Sequence, residues 1–232
     1  MLYRSNKVMY DRLTQTLWSQ LRGEPIVGEL VGSGIKLEFF PVALTTWGEW
    51  LAEHPDTKVQ SRETGYYSPR SYEREDDRRS IYHAYRADPE TMFPIWNRDE
   101  RLVPKQLVLG VVVDGTPNRY YKAYSIDALR QARVVNDTVN DIHLVVVASS
   151  MSSDALVFRS EDRRFELPED APDGIPDILI DEDGAAWHVE RDRLSKVDDP
   201  AETLPLHPAN VSFWFGWFIT HPDTLLYGAM ED

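Results

Sequence analysis

Apolar residues recur at two spacings along this chain, and the two rarely overlap. Trp47, Trp50, Leu51 and His54 fall at i, i+3, i+4 and i+7, which predicts one face of a short helix, with Thr45 or Thr46 placed to cap its N-terminus and Pro55 to stop it. Asp56 and Thr57 suit the following turn. Trp214, Trp217, Phe218 and His221 repeat the pattern, with Ser212 in the capping role. Elsewhere the spacing is that of strands. Residues 106–113 and 119–124 flank the turn residues 114–118 and predict a hairpin, and Ser125 is a good N-cap for a helix running to residue 132. Residues 134–135 and 142–148, separated by 136–141, predict a second hairpin, which ends in the serines 149, 150, 152 and 153. Residues 177–180 and 185–189 predict two strands about the turn Glu182-Asp183-Gly184. Further strands are expected at 7–12 and, after the turn Gly32-Ser33-Gly34, at 35–40. The fold class is therefore α+β: mainly antiparallel β-sheet with short tryptophan-faced helices.

The chain resembles itself. Residues 37–57 and 204–224 align at a constant offset of 167, with identity at eight of the 21 positions: Leu37/Leu204, Pro41/Pro208, Trp47/Trp214, Trp50/Trp217, His54/His221, Pro55/Pro222, Asp56/Asp223 and Thr57/Thr224. Upstream, Asp11 and Trp18 correspond to Asp181 and Trp187 after small gaps. This predicts an internal duplication in which each repeat contributes one helix packed on a sheet, with both tryptophans buried. The expected organisation is a shortened first unit at 1–60, a connector at 61–103 rich in Arg, Asp, Glu and Tyr, and a complete second unit at 104–232. Strands of the first unit at 7–12 and 35–40 then lack neighbours, and an open edge invites pairing unless it is covered. Cover by the connector within a monomer is expected, with a homodimer through the same edge as the alternative.

Charge narrows the choice of partners. With 39 acidic and 25 basic side chains the net charge is −14, a field that repels phosphate backbones, so nucleic acid is not an expected partner. Residues 161–202 carry 15 acidic against 5 basic side chains, so most of the net charge comes from this stretch. The basic residues are 19 Arg and 6 Lys, and carboxylates with few lysines predict adaptation to concentrated salt. There is no cysteine, which excludes disulfides, thiolate metal sites and cysteine nucleophiles. The longest apolar run, 213–219, is too short for the roughly 20 residues a bilayer span needs, and the segment MLYRSNK has no apolar core of a signal peptide. A soluble, cytoplasmic protein is expected for the chain as given.

Several groups could carry chemistry. Asp181, Asp183 and Glu190, with Gly184 as turn glycine, match part of a calcium loop, although Leu179 stands where its first carboxylate belongs and a strand turn explains the same residues. The pairs His54 with Asp56 and His221 with Asp223 could orient an imidazole as a general base or form a His/Asp metal site. Helix punctuation explains the same residues. Gly28, Gly32 and Gly34 with Lys36 do not make a phosphate loop, and no serine sits in a Gly-x-Ser-x-Gly elbow. No cofactor motif is present. Tyr66 and Tyr67, with Tyr72, Tyr82, Tyr85, Tyr120, Tyr121 and Tyr124 and with Arg62, Arg70, Arg78 and Arg79, could line a groove for an anionic, peptide or sugar ligand, or lie over a sheet with their hydroxyls in water.

The segments LYRSNKVMYDRLTQTLWSQLRGEPIVGEL and TTWGEWLAEHPDTKV, continued by ETGYY, LVPKQLVLGVVVDG, YKAYSIDAL, VVND and SFWFGWFITHPDT, resemble a prokaryotic family known as domain of unknown function 3179. The resemblance covers nearly the whole chain and implies no mechanism. It implies two copies of the unit and, frequently, an exported or membrane-anchored setting. In such proteins a Cys-Pro-Leu-Cys-like strand often precedes the LY segment of the first copy. Here Met1 stands where that segment starts, and Ser149-Ser150-Met151-Ser152 fills the matching stretch of the second unit, so a redox or metal role does not carry over. The expected function is a non-catalytic binding or interaction module with an unidentified small-molecule or protein ligand. The alternative is a metal-dependent or general-base hydrolase using the duplicated His/Asp pairs.

Overall fold

The computed structural model describes residues 2–42, 44–68, 72, 78, 81–115 and 118–228. It opens with a four-stranded antiparallel meander in chain order: β1 (Leu2–Tyr3), β2 (Asn6–Asp11), β3 (Thr16–Ser19) and β4 (Glu24–Val27). Arg4 and Ser5, at φ 49° and 59°, make the two-residue turn that matches strand twist between β1 and β2. Helix α1 (Trp47–Glu53) begins in a capping box, Thr46 accepting from the Glu49 backbone N–H while the Glu49 carboxylate accepts from Thr46 N–H. Helix α2 (Ile81–Ala87) lies within the connector. A long hairpin follows, β5 (Leu107–Asp114) with β6 (Arg119–Ser125). Its last residue, Ser125, caps α3 (Ile126–Ala132). Strands β7 (Val134–Val139), β8 (Ile142–Ala148) and β9 (Ala155–Arg159) form a three-stranded sheet, the first turn being Asn140-Asp141 at φ 47° and 61°. Strands β10 (Phe165–Glu166), β11 (Ile178–Asp181), β12 (Ala186–Val189), β13 (Arg193–Lys196) and β14 (Thr203–Pro205) form a five-stranded antiparallel meander. The described chain ends with β15 (Ala209–Phe213), α4 (Trp214–Thr220) and β16 (Leu225–Tyr227), and the fourth sheet has the order β15-β5-β6-β16, with β16 parallel to β6.

Side-chain alternation assembles these sheets into layers. On β5, Leu109, Val111 and Val113 meet Leu144, Val146 and Val157 of β8 and β9 in one core. The opposite face of β8 and β9, Val145, Val147, Leu156 and Phe158, packs on Leu179, Trp187, Leu194 and Leu204 of the five-stranded meander. Strand β8 is thus buried on both faces, the reason its sequence is a continuous apolar run rather than an alternation. The outer face of β5 and β6, with Val108 and Ala123, takes Trp214, Trp217 and Phe218 of α4. A Cβ on Gly110 would stand 2.1 Å from the Trp217 ring, so this glycine is the notch that lets the indole lie against the strand. The other side of α4 is covered by the N-terminal meander: Asn6 Nδ2 donates to Gly216 O at 2.8 Å and to Thr220 Oγ1 at 3.0 Å. Every residue of α4 is consequently buried.

The two tryptophan helices end alike and are buried differently. His54 and His221 occupy equivalent C-caps, at φ/ψ −128°/68° and −129°/73°, and Trp50 Nε1 and Trp217 Nε1 each donate at 2.9 Å to the threonine seven residues on. Yet Trp47 and Trp50 are 51% and 40% exposed and no residue of α1 is buried, so the expectation of a tryptophan core in the first unit is overturned. What covers the α4 indoles is the β5–β6 sheet, and among the described residues no such sheet lies beneath α1. Three local expectations also change. Residues 35–40 join no strand, and Leu37 N–H donates to Gly23 O at 2.8 Å. Residues 136–139 belong to β7 rather than to a loop. The α4 cap is Phe213 rather than Ser212, and the first-turn N–H groups of Trp214 and Phe215 donate instead to Gln106 O and Pro104 O, at 2.8 and 2.9 Å. Strand β2 pairs with β3 along Val8–Asp11 and with β1 only at Asn6 and Lys7, so among the described residues β1 covers just the start of that edge.

Candidate functional site

Between the N-terminal meander and the outer end of the β5–β6 sheet lies a cleft of about 490 Å³, within the usual range for small-molecule sites. One wall is Leu21, Arg22 and Glu24, about the turn from β3 to β4, with residues 37–39. The Phe39 ring closes over Gly23, where an added Cβ would stand 2.8 Å from it, so the glycine holds this strap down. The other wall comes from Val112 and Asp114 of β5, Arg119 and Tyr121 of β6, Arg159 at the end of β9, the 205–208 corner that leads into β15, and His221.

Two buried histidines belong to this wall, only 6% and 4% exposed for His207 and His221. His207 is pinned at the corner by its backbone N–H to Val157 O at 2.7 Å, and its Nε2 lies 3.0 Å from Val112 O. A carbonyl only accepts, so Nε2 carries the proton, and Nδ1, for which no donor is present, carries a lone pair. His221 stacks on Tyr121 at 4.2 Å between centroids and against Trp217 at 4.5 Å. Its Nε2 is likewise buried and without a partner. Burial, then the Arg22 charge, pushes the His221 imidazole down to about 4, against the pull of a hydrogen bond to the Leu21 backbone, which raises basicity as donation to a carbonyl does. Burial also lowers His207, with Arg159 acting in the same sense. Both rings are neutral at pH 7 and both offer a lone pair. Around them, Arg22 pairs with Glu24 at 2.8 Å and Arg119 with Asp114 at 2.7 Å, whereas Arg159 has no ion-pair partner among the described residues.

A second polar cluster fastens α1. Arg191 donates from Nη1 to Asp154 Oδ2 at 2.6 Å and, through Nη2 and Nε, to both Glu53 oxygens at 2.7 and 3.1 Å. The Asp154 side chain is fully buried, which raises its pKa, while the Arg191 hydrogen bond and charge pull it down. Ser149, at the start of the same loop, accepts from Met151 and Ser152 N–H groups, so these serines end β8 as expected.

The residues singled out from sequence are dispersed. His54, Asp56 and Asp223 are exposed, and among the described residues neither aspartate bonds to a histidine; of the four, only His221 reaches the cleft. The Asp181 carboxylate is filled by donors from Asp183 N–H, Ala185 N–H and Trp187 Nε1 at 3.1, 2.8 and 2.9 Å, as a strand turn requires. Asp183 is exposed, and Glu190 accepts from Ser195 Oγ. Among the described residues no three His, Asp or Glu side chains gather as a metal site. Tyr66, Tyr67 and Arg62 are exposed and line no part of the cleft, while Arg70 and Arg79 lie outside the described residues. Sequence reasoning missed His207 and Arg159. Neither has a repeat partner of like chemistry, position 40 being Phe where 207 is His, and the one signal was a lone histidine in the apolar stretch at 204–211. No helix of the described residues is long and apolar enough to cross a membrane.

In comparison with known proteins, the family model described as "Protein of unknown function (DUF3179)" aligns with residues 1–224. No curated protein matched, and no solved structure did.

Proposed function

The chain belongs to the DUF3179 family, and on that premise we propose that it is a non-catalytic binding module whose ligand seat is the cleft between the N-terminal meander and the β5–β6 sheet. One observation carries this reading: two buried, neutral imidazoles in one cleft wall each keep a ring nitrogen without a partner. Buried polar atoms are as a rule satisfied, so two unpartnered ring nitrogens on residues that line one cleft single that wall out. Among the described residues the same wall holds no serine, threonine or cysteine that a neutral histidine could activate, which favours binding over nucleophilic chemistry. The test is histidine-ring NMR during a small-molecule screen. Hits move the His207 and His221 ring signals and leave His54, His83, His143 and His188 in place. A screen in which nothing moves either cleft ring defeats the proposal.

The internal duplication and the adaptation to high salt belong to the same proposal. The matched C-caps and the matched tryptophan-to-threonine hydrogen bonds of α1 and α4 support the first, and the excess of carboxylates at 161–202 supports the second.

A further inference from the structure

In a chain whose net charge is −14, the cleft lining is balanced. Among the described residues it sets three guanidinium groups, Arg22, Arg119 and Arg159, against three carboxylates, Glu24, Glu38 and Asp114. Four of these six are spent on local pairs: Arg22 with Glu24 at 2.8 Å and Arg119 with Asp114 at 2.7 Å, while Lys36 brings a further cation to Glu24 at 3.2 Å. The two left over lie on opposite walls. Glu38 is carried by the 35–40 strap and Arg159 ends β9, and both are exposed. Neither has an ion-pair partner among the described residues, so they do not pair with each other. An anion entering the cleft gains the free guanidinium but meets the free carboxylate as a like charge, and a cation has the reverse difficulty. A molecule with both signs suits both walls at once. A guanidinium fork matches a carboxylate, and a carboxylate accepts from an ammonium. The lining also holds Leu37, Val112, Tyr121 and Leu206, none fully buried, as apolar surface for a side chain.

We infer that the cleft takes a zwitterion, an amino acid or short peptide with an apolar side chain, its carboxylate on Arg159 and its ammonium on Glu38. The inference rests on the cleft being the ligand seat, and deepens that reading by naming the chemistry. Calorimetry on the full chain uses leucine and leucylleucine, each beside its N-acetyl form, which keeps only the carboxylate, and its amide, which keeps only the ammonium. The tighter of the two zwitterions tells a free amino acid from a peptide, and it is expected to bind at least about 5-fold more tightly than either of its blocked forms. Arg159→Gln is expected to bring that zwitterion down to the level of its amide, and Glu38→Gln to the level of its N-acetyl form. Both positions are exposed, so the fold is expected to be unchanged. Blocked forms that bind as tightly as the zwitterion overturn the inference, and so does either variant if it keeps the full preference. If no probe binds while other compounds move the cleft histidine signals, the ligand class is wrong and the seat stands. If nothing moves those signals, both fail.

Discussion

His221 has two roles at one position: it closes α4 as its C-cap, and it presents a ring to the cleft. Its depressed pKa has a consequence for stability. The unfolded imidazole titrates at its ordinary value of 6.5 and the folded one at about 4, so between those values the unfolded chain binds a proton that the folded chain refuses. Stability is therefore full above pH 6.5 and falls as pH drops toward 4, by about 3 kcal/mol if the whole shift is realised. His207 acts in the same direction. Asp154 acts in the opposite one: its raised pKa favours the protonated carboxyl in the fold, and the stability tied to it is lost as pH rises through the folded value. Urea unfolding at pH 7, 5.5 and 4.5 should show His221→Phe losing less stability on acidification than the parent protein. Equal slopes would remove the argument from a buried neutral imidazole. This much was legible from sequence only in part: the cap role follows from Trp-x-x-x-His-Pro spacing, whereas burial of one histidine and exposure of its repeat partner depends on what lies above each.

At the scale of elements, α1 and α4 test how far a repeated sequence carries a repeated environment. Local bonds repeat, because a cap and an i to i+7 hydrogen bond need nothing beyond the segment itself. Packing does not, because it needs a sheet, and that sheet carries a glycine where Trp217 must fit. Replacing Trp217 by Ala is expected to cost about 3–5 kcal/mol, the range for large buried aromatics. Trp50→Ala, at a half-exposed position, should cost about 1 kcal/mol. Chemical denaturation of the two variants measures both, and equal losses would contradict the difference in burial. Gly110→Ala should destabilise by about 1–3 kcal/mol through overpacking, and the additional change Trp217→Leu should recover part of that loss by clearing the ring. A Gly110→Ala protein as stable as the parent would show that the notch is not needed.

Across the whole molecule, carboxylates outnumber cations, and they do so most in residues 161–202, which hold four of the five strands of the second meander. Arg163 and Lys196 both reach Glu202 there, leaving most of the acids exposed to one another. Screening such repulsion stabilises the fold, since the Debye length falls from about 10 Å at 0.1 M salt to about 3 Å at 1 M. The melting temperature should rise over that range, and a flat or falling curve would take away the case for high-salt adaptation. The sequence by itself determined the family, the α+β class, the hairpins at β5–β6 and β11–β12, the Ser125 cap and the tryptophan helices, because each is written in short-range periodicity, turn residues and caps. Only the tertiary structure decided that residues 35–40 form a strap instead of a strand, that α1 is exposed while α4 is buried on both sides, and that Arg22, Tyr121, Arg159, His207 and His221 share one cleft. Those residues lie on five separate segments of the chain. Their meeting depends on how the sheets stack, a long-range outcome that leaves no period in the sequence from which to read it.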